Sequence, residues 1–175
     1  MIHCPTCDFE NIEGVDVCEQ CGQPLNDSHL LSPKNAVEHG LLKDRVHKLA
    51  PKVPVAVDQD ATVQEAFDLM RERSIGCVFV TNHDEPVGVF SERDALMRLN
   101  ADAANHLGDS VSKFMTPNPQ TLTGDDRIAF AVHQMDLGGY RHVPIVDANK
   151  KFVGVISVRD ILRYMTRKIA ETSAG

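Results

Sequence analysis

Val87-Gly88-Val89-Phe90-Ser91-Glu92-Arg93-Asp94-Ala95-Leu96 recurs 66 residues later as Val153-Gly154-Val155-Ile156-Ser157-Val158-Arg159-Asp160-Ile161-Leu162. Seven of the ten positions are identical. An internal repeat outweighs any single motif, because it means that one supersecondary unit was built twice. The repeat extends upstream. Val63, Ala66, Phe67 and Met70 carry the i, i+3, i+4, i+7 stripe of an amphipathic helix, and so do Ile128, Ala131, Val132 and Met135. Here the offset is 65, one less than downstream. The extra residue falls in the polar stretches 82–86 and 147–151, which read as hairpin loops, where an insertion leaves packed elements in register.

After each helix comes a β-rich run, Cys77-Val78-Phe79-Val80 or Val143-Pro144-Ile145-Val146. A second strand (87–90, 153–156) and a second helix opened by Ser91 or Ser157 follow. Each unit is thus predicted as strand, helix, strand, strand, helix. This order, with its two V-G-V-x-S-x-R-D segments, resembles the CBS domain, and the pair resembles a tandem CBS (Bateman) module. Met115-Thr116-Pro117 and Gly139-Tyr140-Arg141-His142-Val143-Pro144-Ile145-Val146-Asp147 are similar to that family too. The resemblance covers roughly residues 42 to 170. It implies an α+β fold with two β-α-β-β-α repeats related by a pseudo-twofold axis, a cleft between them, and a disc-shaped homodimer.

The amino terminus is a separate object. Cys4-Pro5-Thr6-Cys7 and Cys18-Glu19-Gln20-Cys21-Gly22 are two C-x-x-C pairs with ten residues between them. Four thiolates on two tight turns suit tetrahedral zinc, and Gly22 fits a turn that needs positive φ. Cys4, Cys7, Cys18 and Cys21 therefore read as metal ligands of a short zinc ribbon. A rubredoxin-like iron site uses similar turns and stays open as an electron-transfer alternative. Two disulfides would suit a secreted domain, but the chain starts directly at Met1-Ile2-His3-Cys4, with no expected signal peptide. Some 25 residues bury too little to fold unaided, so the metal is expected to supply the folding energy. The resulting domain plan is a ribbon over 1–26, a linker over 27–40, and repeats over 41–107 and 108–175. A short helix within 41–49 is expected to pack on the first repeat.

Composition narrows the function. The chain has 175 residues and net charge −7. Residues 1–33 contain no Lys or Arg, whereas phosphate affinity requires positive charge. Nucleic acid and anionic membrane are therefore disfavoured as partners, and a cytoplasmic location is expected from the metal-type cysteine spacing. Cys77, in a strand, reads as a small buried hydrophobe. The chain shows no nucleophile elbow, phosphate-binding loop, H-E-x-x-H or dinucleotide fingerprint. No catalytic residue is assigned, and the protein is not expected to be an enzyme.

Ser followed by Asp three positions on is first of all a capping box. It occurs twice here, each time after a Gly-containing strand. The family resemblance implies that Ser91 and Ser157 face phosphate or ribose and that Asp94 and Asp160 bind ribose hydroxyls. A carboxylate can accept both hydrogen bonds of a cis-diol, and a helix N-terminus favours phosphate. Gly88 and Gly154 would let a flat base approach the backbone. Arg141 and His142 precede the middle strand of the second repeat, where the first has Gly76 and Cys77. In adenine-nucleotide-binding relatives this region carries phosphate-binding cations. Asp94 then marks a site poor in local cations, and Asp160 one with cations. The expected function is regulatory sensing of an adenosine-containing ligand: AMP, ADP, ATP, NAD or S-adenosylmethionine. The alternative is a ligand-independent dimerisation or protein-interaction scaffold. Ala95, Leu96, Leu99, Ile161, Leu162 and Met165 are the expected dimer face.

Overall fold

The computed structural model describes residues 2–4, 6–12, 14–25 and 35–173. Residues 27–34 of the predicted linker, with residue 26 at the end of the predicted ribbon, lie outside the described residues. The ribbon contains a two-stranded antiparallel pair, β1 (Ile2–His3) and β2 (Glu10–Asn11). Helix α1 (Ala36–Lys43) begins inside the stretch expected as linker, because the Asn35 side chain caps it by accepting from the Glu38 N–H. A 3-10 turn, Val46–Leu49, follows.

The first repeat runs β3 (Ala56–Asp58), α2 (Val63–Arg73), β4 (Cys77–Asn82), β5 (Glu85–Ser91) and α3 (Glu92–Asp94). The second contains α4 (Ile128–Gly138), β7 (His142–Val146), β8 (Phe152–Ser157) and α5 (Val158–Ser173). Between them lies the short strand β6 (Thr116–Pro117). Helix α2 starts at a full capping box between Thr62 and Glu65. Its end, Ser74, and the end of α4, Gly139, both adopt the left-handed conformation. The helix after Ser91 departs from the regular form expected. It widens into a π-helical turn over Ala95–Leu99 and then a 3-10 stretch over Asn100–Asn105, whereas α5 continues for 16 residues. Asn100, at φ 51°, ends the π turn.

The chain forms two compact units, and their composition crosses the repeats. One unit joins residues 53–119 to 146–153; the other joins 1–52, 120–145 and 154–175. Strand pairing accounts for this. The first unit holds the sheet β3-β4-β5-β6. Its outer strand, β6, is the lead-in to the second repeat, with Thr116 opposite Val89 and Pro117 opposite Gly88. The second unit repeats this plan in reduced form. Leu122 bridges Ile145 in parallel, where the first has Val57 beside Val80, and Lys52 bridges Val155 in antiparallel. Lys52 thus occupies the slot that Thr116 occupies in the other unit. Each repeat's sheet is completed by the segment that leads into the other repeat.

Each unit has its own core. Val63, Ala66, Met70, Val78, Val80, Phe90, Leu99 and Val111 fill one. Val46, Leu49, Leu122, Ile128, Ala131, Val143, Ile145, Ile156, Ile161 and Tyr164 fill the other. The 41–49 segment therefore packs on the second repeat, not the first as expected. Its anchors are Val46 and Leu49 in that core and a 2.6 Å hydrogen bond donated by Tyr164 to Asp44. Gly40 permits the approach of α1, since a Cβ there would lie 2.2 Å from the Tyr164 hydroxyl. Two residues expected at a dimer face, Leu99 and Ile161, are core residues instead, because the helix stripe that carries them faces the sheet. Leu96 and Leu162 remain exposed, at 74% and 54%.

Gly88 and Gly154 also have a different role from the one expected. A Cβ on Gly88 would lie 2.1 Å from Met115 Sδ, and one on Gly154 would lie 2.8 Å from Pro51 Cβ. The space above each glycine is filled by the lead-in segment, so no base can approach there. Gly154→Ala should cost about 1–3 kcal/mol by overpacking against a rigid proline ring. Urea unfolding of the variant measures it, and an unchanged midpoint would show that the lead-in does not pack there.

Candidate functional site

The two Ser–Asp pairs adopt the same geometry. Ser157 donates both its Oγ–H (2.6 Å) and its backbone N–H (2.9 Å) to Asp160 Oδ2. Ser91 does the same to Asp94 Oδ2, at 2.6 and 3.0 Å. The carboxylate half of the helix cap is therefore present at both positions, and at Ser91 the Asp94 N–H also donates back to Ser91 Oγ. In each case Oδ2 holds the helix start and Oδ1 is left to other partners. The next backbone N–H is engaged as well: Val158 donates to Arg141 O (3.1 Å), as Glu92 donates to Gly76 O (3.0 Å). With its first donors bonded internally, the α5 N-terminus offers less to a phosphate than the sequence implied. Side-chain cations are the other groups here that could meet an anion.

Those cations gather at the second repeat. Asp160 is 4% exposed. Its Oδ1 lies 3.0 Å from Lys52 Nζ and 3.3 Å from Arg163 Nη1. Burial opposes ionisation of Asp160, but hydrogen bonds from Ser157 and Lys52 overcome it and hold the carboxyl below its usual range. Arg141, Arg159, Lys52 and Asp160 all act electrostatically on the His142 ring. Desolvation and the three cations outweigh Asp160 there and hold His142 below the ordinary histidine range, which favours the neutral ring. Arg141 and His142, singled out in the sequence, thus share one neighbourhood with Ser157 and Asp160. Lys52 and Arg163 were missed. Lys52 lies more than 100 residues from Asp160 in the chain, and only the sheet bridge to Val155 brings it there.

The first repeat differs, and not quite as expected. A cation does reach Asp94, from the helix downstream: Arg98 Nε lies 3.4 Å from Oδ1. Arg98 also bonds Met115 O and Thr116 Oγ1. Thr116 Oγ1 in turn donates to Asp94 Oδ1 at 2.8 Å. Oδ1 of Asp94 is therefore held by a neutral hydroxyl and an arginine that is shared among three acceptors. Cys77 stands near by. Burial, then the charges of Glu92 and Asp94, push its thiol up to about 11, which keeps it protonated and unreactive at neutral pH.

In the ribbon, Cys4, Cys7, Cys18 and Cys21 converge, with all four Sγ atoms within 4.8 Å of one another. Cys4–Cys21 and Cys7–Cys18 are each 3.6 Å apart. A tetrahedron with metal–sulfur bonds of about 2.3 Å has edges of about 3.8 Å, so the donor set fits a metal ion. The two turns match: Asp8 and Gly22 have φ 58° and 73° and donate to Cys4 O and Cys18 O at 2.8 Å. The predicted positive φ of Gly22 is thus present. Burial raises Cys18, but the N–H groups of Cys21 and Gln20 and the Asn11 amide outweigh it and bring the thiol down to about 6. Cys21 is pushed up to about 12 by burial and the neighbouring sulfurs. Four thiols this close cannot all ionise without a cation among them. Sequence reasoning missed Asn11, a buried residue whose amide bonds Phe9 O and Cys18 Sγ and accepts from the Glu19 N–H.

A family model described as the CBS domain matches the chain twice, over residues 46–101 and 111–167. The chain therefore belongs to the CBS-domain family, as a tandem pair. A 17.7 kDa uncharacterised protein of Acidianus ambivalens is 30% identical over 120 residues, which are 68% of this chain and 71% of that protein. An uncharacterised protein of Methanopyrus kandleri is 34% identical over 63% of this chain and 58% of its own length. A CBS-domain protein of Arabidopsis thaliana is 32% identical over 77% of this chain, but this is only 25% of that longer protein. Among solved structures, a CBS-domain protein of Agrobacterium tumefaciens is 29% identical, with a TM-score of 0.61 over 69% of this chain and 98% of that one. A CBS-domain protein of Pyrobaculum aerophilum, solved in complex with AMP, is also 29% identical, with a TM-score of 0.59 over 70% of this chain and 98% of that one. Among the described residues, no helix is long and apolar enough to cross a membrane.

Proposed function

We propose that the chain is a non-catalytic regulatory module that senses an adenosine-containing ligand at Ser157, Asp160, Arg141 and His142 of the second repeat. One observation carries the reading: a buried carboxylate, already anchored through Oδ2, presents Oδ1 to Lys52 and Arg163, beside a His142 ring on which Arg141 and Arg159 act. Oδ1 can accept a ribose hydroxyl, and the cations can meet phosphate oxygens. The AMP complex of the Pyrobaculum protein supports the choice of adenosine. A sensor works only if its ligand prefers one state of the protein over another. The pair formed by Ser91 and Asp94 is the weaker site, because the neutral Thr116 hydroxyl meets Asp94 Oδ1 where an ammonium meets Asp160 Oδ1, and Arg98 is shared with Met115 O and Thr116 Oγ1.

A hydrogen bond to a charged group contributes about 1.5–3 kcal/mol, and each 1.4 kcal/mol is about tenfold in affinity. Asp160→Ala or Arg141→Ala should weaken AMP binding about tenfold or more in titration calorimetry, with a smaller loss for Asp94→Ala. Phosphate beside His142 favours the protonated ring, so affinity should rise as pH falls through the ring's lowered titration range. Equal losses from Asp94→Ala and Asp160→Ala would remove the asymmetry. Absence of binding by the parent to any adenosine ligand would leave the scaffold reading.

The ribbon, in the same proposal, holds a structural zinc on Cys4, Cys7, Cys18 and Cys21. Four protein thiolates close the coordination sphere and leave no position for catalysis. Elemental analysis should find about one zinc per chain. Cys18→Ser should abolish it while the CBS pair keeps its cooperative unfolding transition. Visible absorbance with stoichiometric iron would contradict the zinc assignment.

Assembly as a homodimer belongs to this proposal as well. Leu96, Met97, Leu162 and Ile169 are each more than half exposed, and apolar surface of this kind is suited to a self-complementary interface. Light scattering should give twice the chain mass at micromolar concentration, and a monomer mass at every concentration would overturn it.

A further inference from the structure

We infer that Lys52 sets the ligand's charge: it makes the Asp160 site select a 5′-phosphorylated adenosine over adenosine itself and over the cationic sulfonium of S-adenosylmethionine. This rests on the adenosine-sensing reading and deepens it.

Lys52 and Thr116 occupy the same slot in the two units. Thr116 lies opposite Val89 in β5, and Lys52 exchanges two backbone hydrogen bonds with Val155 in β8, at 2.9 and 3.0 Å. Val89 and Val155 each stand two residues before a capping serine. From this slot each side chain reaches Oδ1 of its aspartate, Thr116 at 2.8 Å and Lys52 at 3.0 Å. The slot is rigid. Ala50 turns through a left-handed conformation, and Pro51 fills the space above Gly154. One unit therefore places a neutral hydroxyl against its carboxylate, and the other places an ammonium group.

The ammonium is accessible as well as placed. The Lys52 side chain is 57% exposed, while that of Asp160 is 3% exposed. A ligand can thus meet Lys52 without unpacking the core. Asp160 stands in a neighbourhood that includes the cations Lys52, Arg141, Arg159 and Arg163. A phosphate lowers that excess of positive charge, whereas a sulfonium adds to it. When a ribose hydroxyl takes Oδ1, Lys52 needs another acceptor, and the phosphate supplies it. S-adenosylmethionine places its positive sulfur at the 5′ carbon, where the phosphate would lie.

The test is titration calorimetry of the full chain with AMP, adenosine and S-adenosylmethionine, for the parent, Lys52→Thr and Lys52→Arg. Threonine is a residue that the fold already accepts in the equivalent slot. The parent should bind AMP at least tenfold tighter than the other two. Lys52→Thr should lose about tenfold for AMP and little or nothing for the others, so the preference shrinks. Lys52→Arg should restore it. Equal losses for all three ligands in Lys52→Thr would make Lys52 a merely structural residue and overturn the inference. Parent affinity for S-adenosylmethionine equal to that for AMP would overturn it while adenosine sensing stands. Binding of none of the three by the parent would overturn both.

Discussion

The two oxygens of one carboxylate do different work, and the proposed site depends on that division. Asp160 Oδ2 accepts from Ser157 twice and fixes the start of α5. That fixes the direction of Oδ1, which faces Lys52 and Arg163. A carboxylate held by one oxygen has little freedom to lose on binding, so a ligand that meets Oδ1 finds it already oriented. In the proposed reading, cap and ligand site use the two oxygens of the same group.

The second constraint is the exchange of lead-in segments. A strand pair needs a partner edge, and each repeat takes it from the residues that precede the other. Lys52 ends the first segment of one compact unit, and Val53 begins the other unit. In the proposed reading, the residue that meets the ligand's charge therefore stands at one of the points where the chain passes from one unit to the other.

Much of this was visible in the chain because packing repeats at fixed spacing. The V-G-V-x-S-x-R-D segments, the two apolar stripes and the paired C-x-x-C turns are local patterns, and local patterns survive in sequence. Lys52, Arg163 and Asn11 were not visible. Lys52 reaches Asp160 only through a bridge across the chain, and nothing in Pro51-Lys52-Val53 resembles Met115-Thr116-Pro117 strongly enough to align them. The same non-local pairing explains the misreading of Gly88 and Gly154. They read as openings for a base, yet Met115 and Pro51 fill them. The 41–49 segment was assigned to the wrong repeat for the same reason: adjacency in sequence suggested the first, and the buried Val46 and Leu49 belong to the core of the second.

The most direct test of the central claim is a crystal structure of the chain grown with AMP. The account predicts ribose hydroxyls on Asp160 Oδ1, with phosphate oxygens meeting Lys52 and Arg141. AMP on Asp94 with Asp160 still paired to Lys52, or AMP at neither carboxylate, would contradict it.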